Sequence, residues 1–175
     1  MNLHAQLATK IRGNVVVMGI GNPCRGDDAA GSLVARQMIH DAPSVRVIDA
    51  QDVPEDYLTQ VVNQGPDTVV LIDSVDLSSA PGSVALLDKD QLTVYWPSTH
   101  RVPISLLMNY LEQETHARVL LIAIQPRQTA FLEPMSGEVR ASVAGMVDVL
   151  KSVLERPRVS ADVEITDPLR RKAVA

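Results

Sequence analysis

The sequence predicts an α/β protein, a three-layer α/β/α sandwich around a largely parallel, roughly five-stranded twisted sheet. Three observations lead there. Short apolar runs alternate along the chain with stretches of helical spacing. The run Thr68-Val69-Val70-Leu71-Ile72 is almost continuously apolar and β-branched, the pattern of a strand covered on both faces. Aromatic residues are only 3% of the 175, so the core must be aliphatic, which suits parallel strands under helices.

The elements follow in order. Val15 to Met18 reads as a buried strand stopping at Gly19. Ala30, Leu33, Val34 and Met38 keep helical spacing between Asp28 and His40, and Pro43 ends that helix. Val45 to Asp49 is a second strand, and a short helix runs from about Pro54 to Val62. The third strand is Thr68 to Ile72, ending on Asp73. Pro81-Gly82 makes a turn into a short strand from Ser83 to Leu87. A long connection containing Trp96 covers Asp88 to Pro97. Pro103 opens a helix carrying Leu106, Leu107, Tyr110 and Leu111. Arg118 to Ile124 is the fifth strand, and Gln125 to Ser136 a loop. Val139, Val143, Met146, Val147, Leu150 and Leu154 mark a long amphipathic helix. Residues 14–155 thus form one domain, with an N-terminal arm over 1–13 and a mostly disordered tail over 156–175. Right-handed crossovers put helices on both faces, and the ligand crevice lies beyond the carboxyl ends of the strands.

Composition excludes several classes. With one cysteine, Cys24, there is no internal disulfide framework and no cysteine-rich zinc site. Residues 14–155 carry 9 basic and 18 acidic side chains, a balance that repels phosphate backbones. Scarce aromatics also leave no base-stacking surface, so no nucleic-acid partner is expected. No stretch reads as a membrane span or a signal peptide, and the expected compartment is the cytoplasm.

Residues after the strand ends are the candidates for chemistry. Gly19 and Gly21 suggest the dinucleotide fingerprint, with Asp49 as the ribose acid, but Cys24 stands where the third glycine belongs. Two acids at the helix start also repel a pyrophosphate. Asp27 reads as a helix cap, which leaves the adjoining Asp28 unexplained. Asp73, with Asp76 nearby, sits on the crevice rim, and His100 lies in a loop ahead of a helix. His4, His40 and His116 have no acidic or glycine-rich frame and read as solvated. Together Asp28, Asp73 and His100 make an oxygen-and-nitrogen donor set suited to nickel, zinc or manganese, with open coordination positions. A non-peptidase nucleotide-binding or metal-sensing α/β module is the alternative reading of these residues.

These motifs resemble the endopeptidases that mature the large subunit of nickel–iron hydrogenases. The resemblance spans about Asn14 to Glu155. It rests on Gly19 to Asp28, on Asp73 within Leu71-Ile72-Asp73-Ser74-Val75-Asp76, on Thr99 to Pro103, and on Ile124-Gln125-Pro126. It implies a nickel-dependent, aspartyl-type peptidase that removes a C-terminal extension from the precursor once nickel has been inserted. The implied metal-binding and catalytic residues are Asp28, Asp73 and His100, with nickel carried by the substrate, and the precursor is the implied partner. Gly21, Asn22, Asp49, Ala50 and Gln51 are candidates for the loops that admit the substrate tail. The family's Asp-Gly-Gly is here Asp49-Ala50-Gln51, and Ala and Gln are expected to avoid positive φ. No Ser-His-Asp or Cys-His-Asn pattern is evident. The expected reaction is therefore nickel-assisted attack of water, with a carboxylate helping. Cys24 falls in the loop before Asp28, where a thiolate could add a soft ligand.

Overall fold

A computed structural model describes residues 2–92 and 102–155. His100, Trp96 and the tail 156–175 lie outside the described residues. Five strands form one sheet: β1 (Val15–Ile20), β2 (Arg46–Gln51), β3 (Thr68–Ser74), β4 (Val84–Leu87) and β5 (Arg118–Ile124). Their order is β2-β1-β3-β5-β4. All neighbours are parallel except β4, which runs antiparallel to β5 at one edge. Among the described residues five α-helices accompany them: α1 (Leu3–Lys10), α2 (Ala30–Asp41), α3 (Leu58–Asn63), α4 (Ile104–Thr115) and α5 (Gly137–Leu154).

Alternate strand residues feed two cores, the period-2 rule acting in every central strand. Val15, Val17, Val70, Ile72, Leu120 and Ile122 face one side and pack with α1, α2 and α5. Val16, Met18, Val69, Leu71, Val119 and Leu121 face the other and pack with α3 and α4. Both faces of the sheet are therefore buried, which is why the central strands read as unbroken apolar runs.

Several elements depart from the sequence reading. Residues expected to be an arm contain α1, capped by the Asn2 side chain accepting from the Ala5 N–H at 2.9 Å. Leu7 of this helix is wholly buried in the α2/α5 core, with Leu3 one turn earlier against the same cluster. Leu3, Leu7 and Ile11, four apart, pack on this core, but three residues make too short a stripe to mark a helix in the sequence. β1 runs through Gly19 to Ile20, and β3 runs two residues beyond Ile72, so Asp73 lies within the strand. Asp28 is in a 3₁₀ turn, Gly26–Ala29, that precedes α2.

The close seat of α2 explains two glycines. A Cβ on Gly19 would stand 2.1 Å from the Gly31 carbonyl oxygen, and one on Gly31 would stand 2.1 Å from that of Ile72. The first turn of α2 thus rests on β1 and β3 with no side chain between. The start of the β4–α4 connection is held by ion pairs. Lys10 of α1 pairs with Asp88, and Lys89 pairs with Glu112 of α4. The Glu112 carboxylate raises the Lys89 pKa above its ordinary value.

Candidate active site

β1 sits between β2 and β3, and the chain leaves it first to one side and then to the other. That reversal opens a crevice beyond the carboxyl ends of β1 and β3, the usual place for a site in an open α/β sheet. Asp28 follows β1, and Asp73 lies at the end of β3. Both are almost fully buried, with exposures of 1% and 3%.

Ser74 joins them. Its hydroxyl donates to Asp28 Oδ1 at 3.2 Å, and its backbone N–H donates to Asp73 Oδ1 at 2.7 Å. The strand period puts consecutive side chains on opposite faces, so Ser74 reaches toward the α2 side as Asp73 points to the other. The backbone N–H of Asn22 donates to Asp28 Oδ2 at 3.1 Å. Each oxygen of the Asp28 carboxylate therefore meets a donor. Gly21 makes that loop possible: at φ +142° its missing Cβ would stand 1.8 Å from the Asp28 carbonyl oxygen. The two glycines that suggested a phosphate loop serve close backbone packing instead.

Asp27 does something different. It was expected to cap a helix, but no side-chain cap bond forms at that turn. The wholly buried carboxylate instead accepts from the backbone N–H groups of Arg127 at 2.8 Å, Gln128 at 3.3 Å and Ser136 at 2.6 Å, and from the Ser136 hydroxyl at 2.9 Å. Ser136 is the N-cap of α5. The loop that follows β5 is thus stitched to the loop that follows β1. Gln125 plays a similar part nearby. Its side-chain Oε1 accepts from the Leu77 N–H at 2.6 Å and the Ser79 N–H at 3.3 Å, and its side-chain amide donates to Asp76 at 3.3 Å.

The remaining loop candidates divide. Asn22 donates its side-chain amide to Asp52 at 2.9 Å, which ties the loops after β1 and β2 together. Asp49 is engaged by Arg36 of α2 at 2.7 Å. Ala50 is wholly buried among Ile48 and Val61, so its side chain faces the core rather than the crevice. Gln51 was expected to avoid positive φ, yet it adopts φ +50°. The reason is a bulge: Gly19 pairs with Asp49 and Ile20 with Gln51, which leaves Ala50 over. The Gln51 carbonyl then accepts from the Gly21 N–H at 2.7 Å.

Cys24 is exposed. Among the described residues, no three acidic, histidine or cysteine side chains are grouped to hold a metal ion. The third predicted ligand, His100, is outside those residues. Sequence reasoning missed Ser74, because its partner lies 46 residues away, and Glu55, which buries one carboxylate oxygen without a hydrogen-bond partner in the turn after β2.

Comparison with known proteins identifies the family and the fold. The crystal structure of a nickel–iron hydrogenase maturation protease HycI from Thermococcus kodakarensis is similar over 86% of this chain and 99% of its own, with a TM-score of 0.79 and 27% identity. The hydrogenase 3 maturation protease of Escherichia coli K12 is 28% identical over 131 residues, 73% of this chain and 83% of its own. The hydrogenase maturating endopeptidase HybD of E. coli shares the fold, with a TM-score of 0.66 at 18% identity over 82% of this chain and 93% of its own. The family model described as HycI, hydrogenase maturation protease, matches residues 32–154. The chain therefore belongs to the hydrogenase maturation protease family and is a peptide-bond hydrolase of that family.

Proposed function

We propose that the chain removes the C-terminal extension of a nickel–iron hydrogenase large-subunit precursor after nickel has been inserted. Family membership supports the reaction class. The observation that carries the site is the pair of buried carboxylates, Asp28 and Asp73, bridged by Ser74 at the sheet's switch point. Nickel belongs to the substrate in this reading. The two acids supply oxygen donors and His100 a nitrogen donor, a set that suits such an ion and leaves its other positions to the precursor. Nickel so held supplies a Lewis acid close to the bond to be cut.

The chain's own residues do the rest. Ser74 and the Asn22 N–H fix the rotamer of Asp28, and the Ser74 N–H fixes that of Asp73. A carboxylate in this position takes the proton of the attacking water, an aspartyl-type role that needs no covalent intermediate. The precursor is the partner and the cytoplasm the compartment. Among the described residues no helix is long and apolar enough to cross a membrane.

Incubation with nickel-loaded and nickel-free precursor, followed by mass measurement of the released tail, tests this reading. Release is expected from the loaded form alone, and Asp73→Asn is expected to release nothing. Full processing by that variant removes Asp73 from the reaction.

A further inference from the structure

One corner of the same rim has no part in the chemistry above. The loop after β5 carries Phe131, the chain's only phenylalanine, and Leu132, which are 64% and 76% exposed. An exposed apolar pair is ordinary on a loose loop, but this loop is not loose. Asp27 holds it at Arg127, Gln128 and Ser136. At its tip, the Leu132 N–H donates to the Cys24 carbonyl at 2.7 Å, and Leu132 sits at φ +63°. A left-handed leucine is strained relative to an ordinary backbone, because its Cβ crowds the following carbonyl oxygen. The fold therefore holds these two side chains out in water on a strained, hydrogen-bonded tip.

Beside the loop runs a groove of about 260 Å³, walled by Pro23, Leu33, Pro134 and Met135, with Arg36 and Glu133 on its lining. Groove and tip form one apolar corner, and both adjoin the segment from Asn22 to Asp28. Cys24, which receives the Leu132 N–H, lies in the same short loop as Asn22, whose N–H orients the candidate catalytic carboxylate.

We propose that this corner is a docking site for the folded body of the hydrogenase large-subunit precursor, separate from the residues that cut it. The inference rests on the function proposed above. A protein whose tail lies on Asp28 must bring its neighbouring surface against the loops of that rim. Among the described residues, Phe131 and Leu132 are the most exposed large apolar side chains. Rigid, exposed anchors of this kind lose little entropy on binding and carry much of an interface's free energy. The groove accepts an apolar segment of the partner, with Glu133 and the Asp49-paired Arg36 on its lining beside the segment's polar backbone.

Leu132→Gly is the sharpest test, because glycine keeps the left-handed backbone while removing the side chain. Phe131→Ser is the companion. Each is expected to raise the KM for nickel-loaded precursor about tenfold and to weaken binding of precursor by the same factor, with kcat at saturation held and the melting temperature not lowered. Asp28→Asn is expected to behave oppositely, binding precursor but not cutting it. Wild-type KM and affinity in both loop variants, with Asp28→Asn inactive, overturn the docking site and leave the proposed function standing. A change confined to self-association in sedimentation assigns the corner to a second copy of the chain and also overturns it. Failure of the wild-type protein to bind or cut the precursor overturns both.

Discussion

Asp27 and Asp28 are neighbours in the chain and equally buried, yet they serve two different regions. Asp27 is enclosed by the loop after β5, and its carboxylate accepts four hydrogen bonds, three of them from backbone. Asp28 lies at the crevice, where the Asn22 N–H and the rotatable Ser74 hydroxyl are among its donors. A buried carboxylate ringed by backbone donors is committed to holding the chain in place. Asp28 instead shares Ser74 with a second carboxylate, Asp73, which is the arrangement the proposed chemistry uses. Burial alone does not separate the two roles; the origin of the donors does.

Exchanging each acid for its amide breaks the comparison most strongly. Asp28→Asn is expected to abolish precursor processing with little change in melting temperature. Asp27→Asn retains activity at low temperature but loses about 3 kcal/mol of stability, because an amide nitrogen now faces buried N–H groups. For a domain of this size that lowers the melting temperature by about 10 °C. Thermal denaturation and a processing assay on both variants read the contrast directly, and equal melting temperatures would refute the structural role of Asp27.

Ser74→Ala sharpens the other half. It removes the hydroxyl from Asp28 but keeps the backbone N–H to Asp73. We expect kcat to fall about tenfold, the scale of one lost hydrogen bond to a charged group, with KM unchanged. A rise in KM alone would place Ser74 in substrate binding instead. The smallest effect is expected at Gln51. Gln51→Gly relieves the positive φ of the β2 bulge and should raise stability by up to about 1 kcal/mol, measured by denaturant unfolding. Destabilisation would show that the Gln51 side chain contributes more than its backbone costs.

Much of this was legible before the structure. The parallel sheet followed from the apolar runs at Val15, Thr68 and Arg118, because both faces of a central strand must be covered. Asp28 and Asp73 were legible as crevice residues because strand ends define the crevice. What could not be read was long-range pairing. The partners of Asp27 lie about a hundred residues along the chain, so local spacing suggested a helix cap that does not form. The hydroxyl of Ser74 acts across 46 residues, and its place in β3 was hidden when the strand was taken to end at Ile72. The bulge at Ala50 reverses a local preference: Gln51 takes a conformation that its own side chain disfavours, because strand pairing requires it.

The bare contact between Gly19, Gly31 and the Ile72 carbonyl has a consequence for how such a protein can change over time. Elsewhere the distance from sheet to helix is set by the bulk of intervening side chains, and every substitution in the core shifts it slightly. Under the first turn of α2 nothing intervenes, so the spacing is a backbone dimension. Aliphatic residues deeper in the two cores can be exchanged over many generations while the turn bearing Asp28 stays at the same height above β3. Two residues with no side chain act as a gauge block, and the Asp28 carboxylate is measured from them.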